Sequence, residues 1–295
     1  MRNLNLDHVQ TLIAIADLGT FGAAAQALHL APPTISLHVK ELESRMQAAL
    51  FVRGRRQADL TSAGLALVQE GRRLLAASDD LIDLVRCRAA GGDGVVKIGV
   101  SAGVGGRLLP LMLDALGRRN PGVELKLEAL GSAEAMLRLQ ASTLDIAIVA
   151  SPQSAAVGVV QLPWRNDPMV ALVPSIWDAP DLVTPDWLST RRWASFAPGT
   201  QMHGLIAAWF GQAGFNPRPF FTLSHPGALT HLATANQSAV ILPLEEVEEL
   251  RQAPGVNVRP LSPALMRQMA VAYRRLPTPG DAMAAVLAVL AEFAI

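Results

Sequence analysis

TFGAAAQALHLAPPTISLHVKELESRMQAALFVRGRR, residues 20–56, is the stretch of this chain that decides its fold. Three alanines near its start, Ala24, Ala25 and Ala27, leave room for a second helix to cross the first closely. The larger side chains of Phe21 and Leu28 can anchor the pair. The pattern is typical of two short helices joined by a turn.

The second helix of this pair is predicted from about Pro33 to Gln47. Pro32 and Pro33 can stand in a first helical turn, because the N–H group that proline lacks has no helical partner there. Its apolar side chains recur at helical spacing and are expected to face the core: Ile35, Val39, Leu42 and Met46.

The opposite face of this helix carries short or polar side chains near the N-terminus: Thr34, Ser36, His38 and Lys40. Such groups can reach base edges when a helix lies in a DNA major groove. After the helix, Arg53, Arg55 and Arg56 surround Gly54, as expected for a hairpin wing that contacts phosphates. We therefore predict an all-α winged helix-turn-helix DNA-binding domain over residues 1–60.

At these residues the chain resembles the LysR-type transcriptional regulators. The matching residues, in the family's order, are Phe21, Ala24, Ala25, Leu28, Pro33, Ser36, Leu42, Glu43, Leu50, Phe51, Arg53, Leu60 and Thr61. The resemblance implies that Pro32, Pro33 and Leu37 also belong to the DNA interface. Pro32 and Leu37 stand where members commonly carry a base-reading glutamine and arginine. Gln47 replaces a glycine that commonly closes the helix.

The charge of the chain favours a dimeric DNA-binding protein. The formal net charge is zero, and residues 1–61 hold six Lys or Arg against five Asp or Glu, a balance of +1. Any grip on phosphates must therefore be local, and one copy should bind DNA weakly. Two copies are needed.

A long helix is predicted from Thr61 to about Arg88, and we assign residues 61–90 to a linker. Leucines recur seven apart, which is typical of a coiled-coil seam: Leu60, Leu67, Leu74 and Leu81. Gly64, Gly71 and Ser78 lie between them and are expected to let a partner helix approach. The alternative is a helix that packs on its own domain. In the family this helix forms the dimer, which implies dimerisation through Leu67, Leu74 and Leu81.

Residues 89–94 form a glycine-rich break, after which strand and helix patterns alternate to the end of the chain. Alternation of this kind predicts parallel or mixed sheets with covering helices. We expect two α/β lobes of the periplasmic-binding-protein type over residues 91–295. Lobe I is assigned to about 94–162 and 268–295, and lobe II to about 163–267. The Asn236-Gln237-Ser238 turn stands where the family commonly has Gly-x-Gly.

A ligand in such a fold lies at the carboxyl ends of the strands, where helix N-termini favour small anions. Ser101 and Ser132 follow the first two strands, at positions where the resemblance implies effector contacts, although each can also cap a helix. Thr200, with Met202 and His203 beside it, is the candidate of the second lobe. These five residues are our predicted effector site.

Enzymatic function is not expected. The glycine-rich stretch 99–106 lacks the spacing of a dinucleotide or P-loop motif, and the sequence has no Gly-x-Ser-x-Gly elbow or zinc-type His/Glu set. We therefore predict no cofactor and no metal. A solute-binding ligand sensor is the main alternative function, but residues 1–60 argue against it, and an enzyme with a small-molecule cleft is the less favoured one.

The remaining features indicate a cytoplasmic protein. The one cysteine, Cys87, fits a reducing compartment, and neither a secretion signal nor a membrane span is expected. The predicted function is that of a transcription factor whose binding or bending of promoter DNA is modulated by a small-molecule effector. The predicted partners are double-stranded DNA, an effector of the class that includes small anions, a homodimer or homotetramer of this chain, and RNA polymerase.

Overall fold

The fold is described from a computed structural model, which covers residues 4–52, 58–101, 104, 108–275 and 281–295. The chain divides into two compact units. The N-terminal unit comprises residues 1–90 with 141–143, and the C-terminal unit comprises residues 91–140 and 144–295.

Four helices build the described part of the N-terminal unit: α1 (Leu6–Leu18), α2 (Phe21–Ala27), α3 (Pro32–Met46) and α4 (Ser62–Ala89). Gly19 ends α1 in a left-handed conformation with φ of 75°, and the Thr20 hydroxyl caps α2 by accepting the N–H of Ala23. Small side chains allow the close packing that the sequence predicts, since Ala24 and Ala25 are buried in a core with Val9.

The recognition helix of the motif, α3, begins with two prolines and ends at Gln47. Its side chains Ile35, Val39 and Leu42 are buried as predicted. Met46 was expected beside them, but it lies at the helix end and is exposed. Gln47 adopts the left-handed conformation with φ of 53°, so the backbone turn that the family commonly makes with glycine forms here with a glutamine.

The segment after α3 returns to α4 through an antiparallel bridge between Phe51 and Leu60. The predicted wing arginines, Arg53, Arg55 and Arg56, lie outside the described residues. Thr61 then caps α4, because its hydroxyl accepts the N–H of Gly64 at 3.0 Å.

The two glycines of α4 do not serve the purpose that we predicted. A Cβ at Gly64 would overlap the backbone carbonyl of Leu50, and one at Gly71 would lie 2.6 Å from Cγ1 of Val9. Both glycines therefore let α4 pack on its own domain instead of admitting a partner helix. Leu67 also packs against that core, whereas Leu74 and Leu81 are exposed.

Nine strands make up the sheet of the C-terminal unit within the described residues, in the order β2-β1-β3-β9-β4-β7-β5-β6, with β8 on β4. They are β1 (Gly94–Val100), β2 (Val123–Ala129), β3 (Ile146–Ala150), β4 (Val159–Pro174), β5 (Trp193–Phe196), β6 (Phe221–Leu223), β7 (Ala239–Pro243), β8 (Val256–Pro260) and β9 (Met266–Arg274). The pairs of β1 with β2 and β3 are parallel, and those of β4 are antiparallel. The sheet is mixed.

Helices cover this sheet: α5 (Leu108–Arg119), α6 (Ser132–Gln140), α7 (Pro185–Ser189), α8 (Gln201–Gln212), α9 (Pro226–Thr234), α10 (Leu244–Val247) with a 3-10 helix at Glu248–Gln252, and α11 (Asp281–Glu292). Lobe I forms around β1–β3 with α5, α6 and α11, and lobe II around β5–β8 with α7 to α10. The two lobes have separate apolar cores, one around Ile146 and the other around Leu172.

The strand β4 runs through both lobes, which the sequence pattern did not predict. β4 has 16 residues and begins at Val159. Its first half pairs with β9 and its second half with β7 and β8. The expected lobe boundary at 162 therefore falls inside one strand. The sequence analysis also missed α7 and β8.

Candidate functional site

The outer face of α3 is the first candidate site. Pro32, Pro33, Ser36, Leu37 and Lys40 are exposed, and Leu37 is exposed to 53% although its side chain is apolar. Thr34 is half-buried. The Ser36 hydroxyl donates to the carbonyl of Pro32 at 3.3 Å, within its own helix. These residues therefore present small, apolar and cationic groups together, and Lys40 is the charged one among them.

His38 does not lie on this outer face, contrary to the prediction. Its Nδ1 lies 2.8 Å from Oγ1 of the fully buried Thr11, and its ring stacks on His8 with 4.2 Å between the ring centroids. The Thr11 hydroxyl already donates its one hydrogen to the carbonyl of Asp7. It therefore accepts the hydrogen bond that His38 Nδ1 donates. His38 thus joins α3 to α1.

Burial and the neighbouring His8 lower the pKa of His38, while Asp7 and Glu41 act against that shift. The ring therefore favours the neutral form, which suits its place between two helices. His8 in turn lies 3.4 Å from Oε2 of Glu41.

The second candidate site is a cavity of about 660 Å³ in the C-terminal unit. Its walls come from the carboxyl ends of the strands and from the N-termini of α6, α8 and α9. All five residues predicted for the effector site line it: Ser101, Ser132, Thr200, Met202 and His203. The structure therefore brings together side chains from both lobes that are up to 102 positions apart in the sequence.

The hydroxyl groups at the cavity have different local roles. Ser132 does not cap α6, because its Oγ accepts the N–H of Ala150 at the end of β3, at 3.1 Å. Thr200 does cap α8: its Oγ1 accepts the N–H of His203 at 3.2 Å and donates to the carbonyl of Ala197 at 2.8 Å. Ser132 and Thr200 therefore stand at the N-terminal ends of α6 and α8, whereas Ser101 follows the end of β1.

His203, in α8, is held by a hydrogen bond to the end of β5. Its Nδ1 lies 3.1 Å from the carbonyl of Phe196, and since a carbonyl only accepts, Nδ1 carries the proton. In a neutral ring, Nε2 is then a hydrogen-bond acceptor. Gln201, next to it, donates from Nε2 to the carbonyl of Pro152 at 3.0 Å, which links α8 to the segment after β3.

An arginine that the sequence analysis missed also lines the cavity. Arg267 is 3% exposed and lies in β9, directly opposite Asp167 in the register of β4 and β9. Its Nη2 donates to Asp167 Oδ2 at 2.8 Å, and Arg165 Nε donates to Asp167 Oδ1 at 2.9 Å. One carboxylate therefore holds two guanidinium groups.

Two glutamates of α10 lie near these arginines. Glu245 Oε2 is 3.8 Å from Arg165 Nη2, but burial outweighs this attraction and raises the pKa of Glu245. Burial likewise raises the pKa of Glu246, with Arg267 acting in the opposite direction. The cluster of Arg165, Asp167, Arg267, Glu245 and Glu246, called the hinge cluster below, lies where β4 passes from one lobe to the other.

The described residues hold neither a metal-binding cluster nor a membrane-spanning helix. No group of three or more His, Cys, Asp or Glu side chains there is arranged to hold a metal ion. None of the helices in that part of the chain has the length and hydrophobicity required to span a bilayer.

Two family models match this chain. Residues 6–65 match the bacterial regulatory helix-turn-helix protein of the lysR family, and residues 89–294 match the LysR substrate binding domain. The first match covers α1 to α3 and the start of α4. The second covers both lobes and the cavity between them.

Individual proteins are similar over nearly the whole chain. The hydrogen peroxide-inducible genes activator of Pectobacterium carotovorum subsp. carotovorum is 25% identical over 274 residues, which is 92% of this chain and 90% of the relative. The regulator XapR of Escherichia coli K12 is 26% identical over 292 residues, 98% of both chains. The crystal structure of full-length CbnR with its target DNA has a TM-score of 0.69 and 20% identity, covering 98% of this chain and 100% of that one.

The order of the parts, the two matches and the relatives agree. A helix-turn-helix unit precedes a long helix and two α/β lobes that enclose a cavity. This chain belongs to the LysR family of transcriptional regulators, which bind DNA and respond to small-molecule effectors.

Proposed function

We propose that the outer face of α3 reads the operator, that two or four copies of the chain assemble through α4, and that an effector in the cavity modulates binding or bending of the DNA. The observation that carries the proposal is the cavity of about 660 Å³ lined by hydroxyl groups from both lobes, in a chain whose helix-turn-helix unit exposes the outer face of α3. A cavity of this volume suits a small organic molecule.

For the DNA contacts, Pro32 and Pro33 set the start of α3, while Thr34, Ser36, Leu37 and Lys40 supply the side chains that face the groove. Exposed Leu37 suits an apolar contact with a thymine methyl group. Arg53, Arg55 and Arg56 are proposed to contact phosphates from the wing. His38 acts through the position of α3, because its ring is engaged by Thr11 and His8.

For assembly, the proposed seam is the exposed part of α4. Leu74, Leu81 and Val85 are exposed to 42%, 61% and 59%, which is costly for apolar side chains unless a partner covers them. Leu67 is proposed to support this seam from its own domain core. Two DNA-binding domains then address two half-sites, which compensates for the weak charge of each.

For the effector, Ser101, Ser132, Thr200, Met202 and His203 are the proposed contacts. Closing of the lobes around the ligand shifts an equilibrium between two states, by no more than the ligand's difference in affinity for them. A peroxide response is not carried over from the relative, because the one cysteine, Cys87, is not among the residues that line the cavity.

We propose that the chain is a regulator without enzymatic activity, that it works in the cytoplasm where promoter DNA and a reduced thiol are found, and that RNA polymerase is a further partner. The domain limits of 1–60, 61–90 and 91–295 go with this proposal, with β4 as the strand shared by the two lobes.

Fluorescence anisotropy with duplexes from upstream of the protein's own and adjacent genes tests this proposal. We expect salt-dependent binding, and we expect Lys40→Ala to weaken it about tenfold, as for the loss of one groove or phosphate contact. Lys126→Ala is the matched control, since it removes an exposed lysine from β2 in the other unit. Equal losses for both variants, or no binding at low salt, would contradict the proposal.

A further inference from the structure

We propose that Arg267 is an effector-binding residue that selects ligands bearing an acidic group, so that the effector is a small organic anion such as a carboxylate. This inference rests on the proposed function of the cavity and adds the chemical class of its ligand. It concerns a residue that no sequence pattern singled out.

The residues that line the cavity favour an anionic ligand. Arg267 is its one Lys or Arg, and no carboxylate lines it, among the residues that the structure describes. The other polar side chains there are neutral, chiefly Ser101, Ser132, Thr200 and Gln153. A ligand of opposite charge is therefore the one whose charge finds a partner in the wall.

The hinge cluster, which lies behind the cavity wall, also favours an anionic ligand. Asp167 is shared by Arg165 at 2.9 Å and Arg267 at 2.8 Å, so one negative group faces two positive ones. Arg267 therefore shares its carboxylate with a second guanidinium group, and it is the member of the cluster at the cavity. Burial raises the pKa of Glu245 and that of Glu246, the other two carboxyl groups of the cluster.

Three helix N-termini at the cavity favour an anionic ligand as well. The N-termini of α6, α8 and α9 all reach the cavity, through residues that include Ser132, Gln201 and Pro226. Helix N-termini carry partial positive charge and favour anions. Three of them and a guanidinium group around one cavity create a positive potential that a neutral or cationic ligand would not use.

The shape of the site explains why Arg267 acts as a specificity device. The guanidinium group is held by Asp167 from the opposite strand, with Arg165 fixing the far oxygen of the same carboxylate. Its orientation is therefore set before the ligand arrives, which lowers the entropy lost on binding. The cavity of about 660 Å³ is larger than an inorganic anion needs, which favours an organic acid.

Thermal shift of the full-length protein, with matched pairs of acid and amide, tests this proposal. Suitable pairs are benzoate with benzamide, phenylacetate with phenylacetamide, and succinate with succinamide, together with a wider set of carboxylic acids each at about 10 mM. We expect at least one acid to raise the unfolding temperature of the wild type while its amide does not. The affinity of that acid is then measured by calorimetry.

Two arginine variants separate ligand contact from support of the fold. Arg267→Gln is expected to weaken the acid ten- to a hundredfold, as for loss of a charge-assisted contact. Arg165→Gln removes the other partner of Asp167 but no side chain of the cavity wall, and we expect it to change the affinity less than threefold. Arg267→Lys is expected to keep the preference for acid over amide.

The other outcomes would overturn the proposal. Binding of amides or amines in preference to acids, equal losses for Arg267→Gln and Arg165→Gln, or no response to any acid would each show that Arg267 does not select an anion. DNA binding is measured on the same samples. If a neutral ligand alters it, the proposed function stands without this inference, and if no duplex binds, the proposed function itself fails.

Discussion

Two buried polar clusters, one in each unit, are built on opposite principles. In the N-terminal unit, His38 and Thr11 join α3 to α1 with a neutral ring and a hydroxyl, and His8 stacks on that ring. In the C-terminal unit, the hinge cluster joins β4 to β9 with charges, through Arg267 and Asp167. Both clusters lie beside a proposed ligand surface, but only the second uses ions.

The difference teaches how each surface is positioned. A neutral hydrogen bond in a helix pair places α3 at a modest free-energy cost and leaves its outer face free of strong fields. A buried carboxylate between two arginines has already lost its hydration, so it stabilises the fold only while both partners remain. The hinge cluster should therefore be the more sensitive of the two to a single substitution.

The largest effect is expected for Asp167→Asn. The change leaves two buried guanidinium groups without their shared carboxylate, and we expect the free energy of unfolding to fall by about 3–5 kcal/mol. Urea unfolding of the full chain measures this. Asp181→Asn is the control, because Asp181 pairs with Arg259 at 3.4 Å but is 98% exposed, and its loss should cost about 1 kcal/mol or less.

A loss below about 1 kcal/mol for Asp167→Asn would show that the asparagine satisfies both arginines, and the contrast between the clusters would disappear. A second check is the ligand. Because Arg267 would lose its positioning group, the acid that binds the wild type should also bind this variant more weakly.

A smaller effect is expected in the N-terminal unit for Thr11→Val. Valine has nearly the same shape as threonine but cannot accept the hydrogen bond from His38 Nδ1, so a partly buried donor loses its partner. We expect a loss of about 1–3 kcal/mol in the free energy of unfolding. The same experiment on Thr190→Val, an exposed threonine whose hydroxyl donates to the carbonyl of Trp187 and accepts from Nη1 of Arg191, should give about 0.5 kcal/mol or less.

If the two threonine variants lose equal stability, His38 and Thr11 do not hold α3 in place. DNA binding by Thr11→Val gives an independent reading. Since α3 would be less firmly held, affinity should fall for every duplex alike, whereas Lys40→Ala should also change the salt dependence.

The same comparison shows why one cluster was within reach of sequence analysis and the other was not. Position 38 is three residues after Ile35 and four before Leu42, so helical periodicity alone places His38 beside the buried stripe of α3. Its polarity led to the opposite prediction. The residues of the helix-turn-helix are close in sequence, and most of that unit could be predicted for this reason.

Arg267 offered no such local signal. It meets Asp167 across 100 positions, through the register of β4 with β9. The length of β4 hid this register, because the polar run Arg165 to Asp167 interrupts its apolar pattern. The glycines of α4 were misread for a related reason, since a seven-residue spacing does not tell whether the facing helix belongs to the same chain or to a partner.

The smallest effect is a difference in pH dependence between the two clusters, and its sign follows from their pKa shifts. The pKa of His38 is lowered, chiefly by burial and then by His8, so the unfolded chain binds more protons as the pH falls below about 6.5. This contribution to stability is present above that pH and is lost as the pH falls through the folded pKa. The pKa of Glu245 and that of Glu246 are raised, so the folded chain binds more protons above pH 4.5, and this contribution grows as the pH falls toward that value.

Native-state hydrogen exchange resolves the two contributions in the full chain, once the intrinsic pH dependence of exchange is removed. Between pH 7.5 and 5, the amides of α3 should lose protection in the wild type relative to His38→Gln, whose side chain does not titrate. Over the same range, the amides of β9 should gain protection relative to the Glu245→Gln, Glu246→Gln double variant. In each case the slope of the exchange free energy against pH should differ between wild type and variant by about one proton per titrating group at most. Desolvation has opposite effects on the pKa of an imidazole and on that of a carboxyl, and these effects make the two slopes diverge. Slopes of equal sign would therefore mean that burial does not govern both clusters.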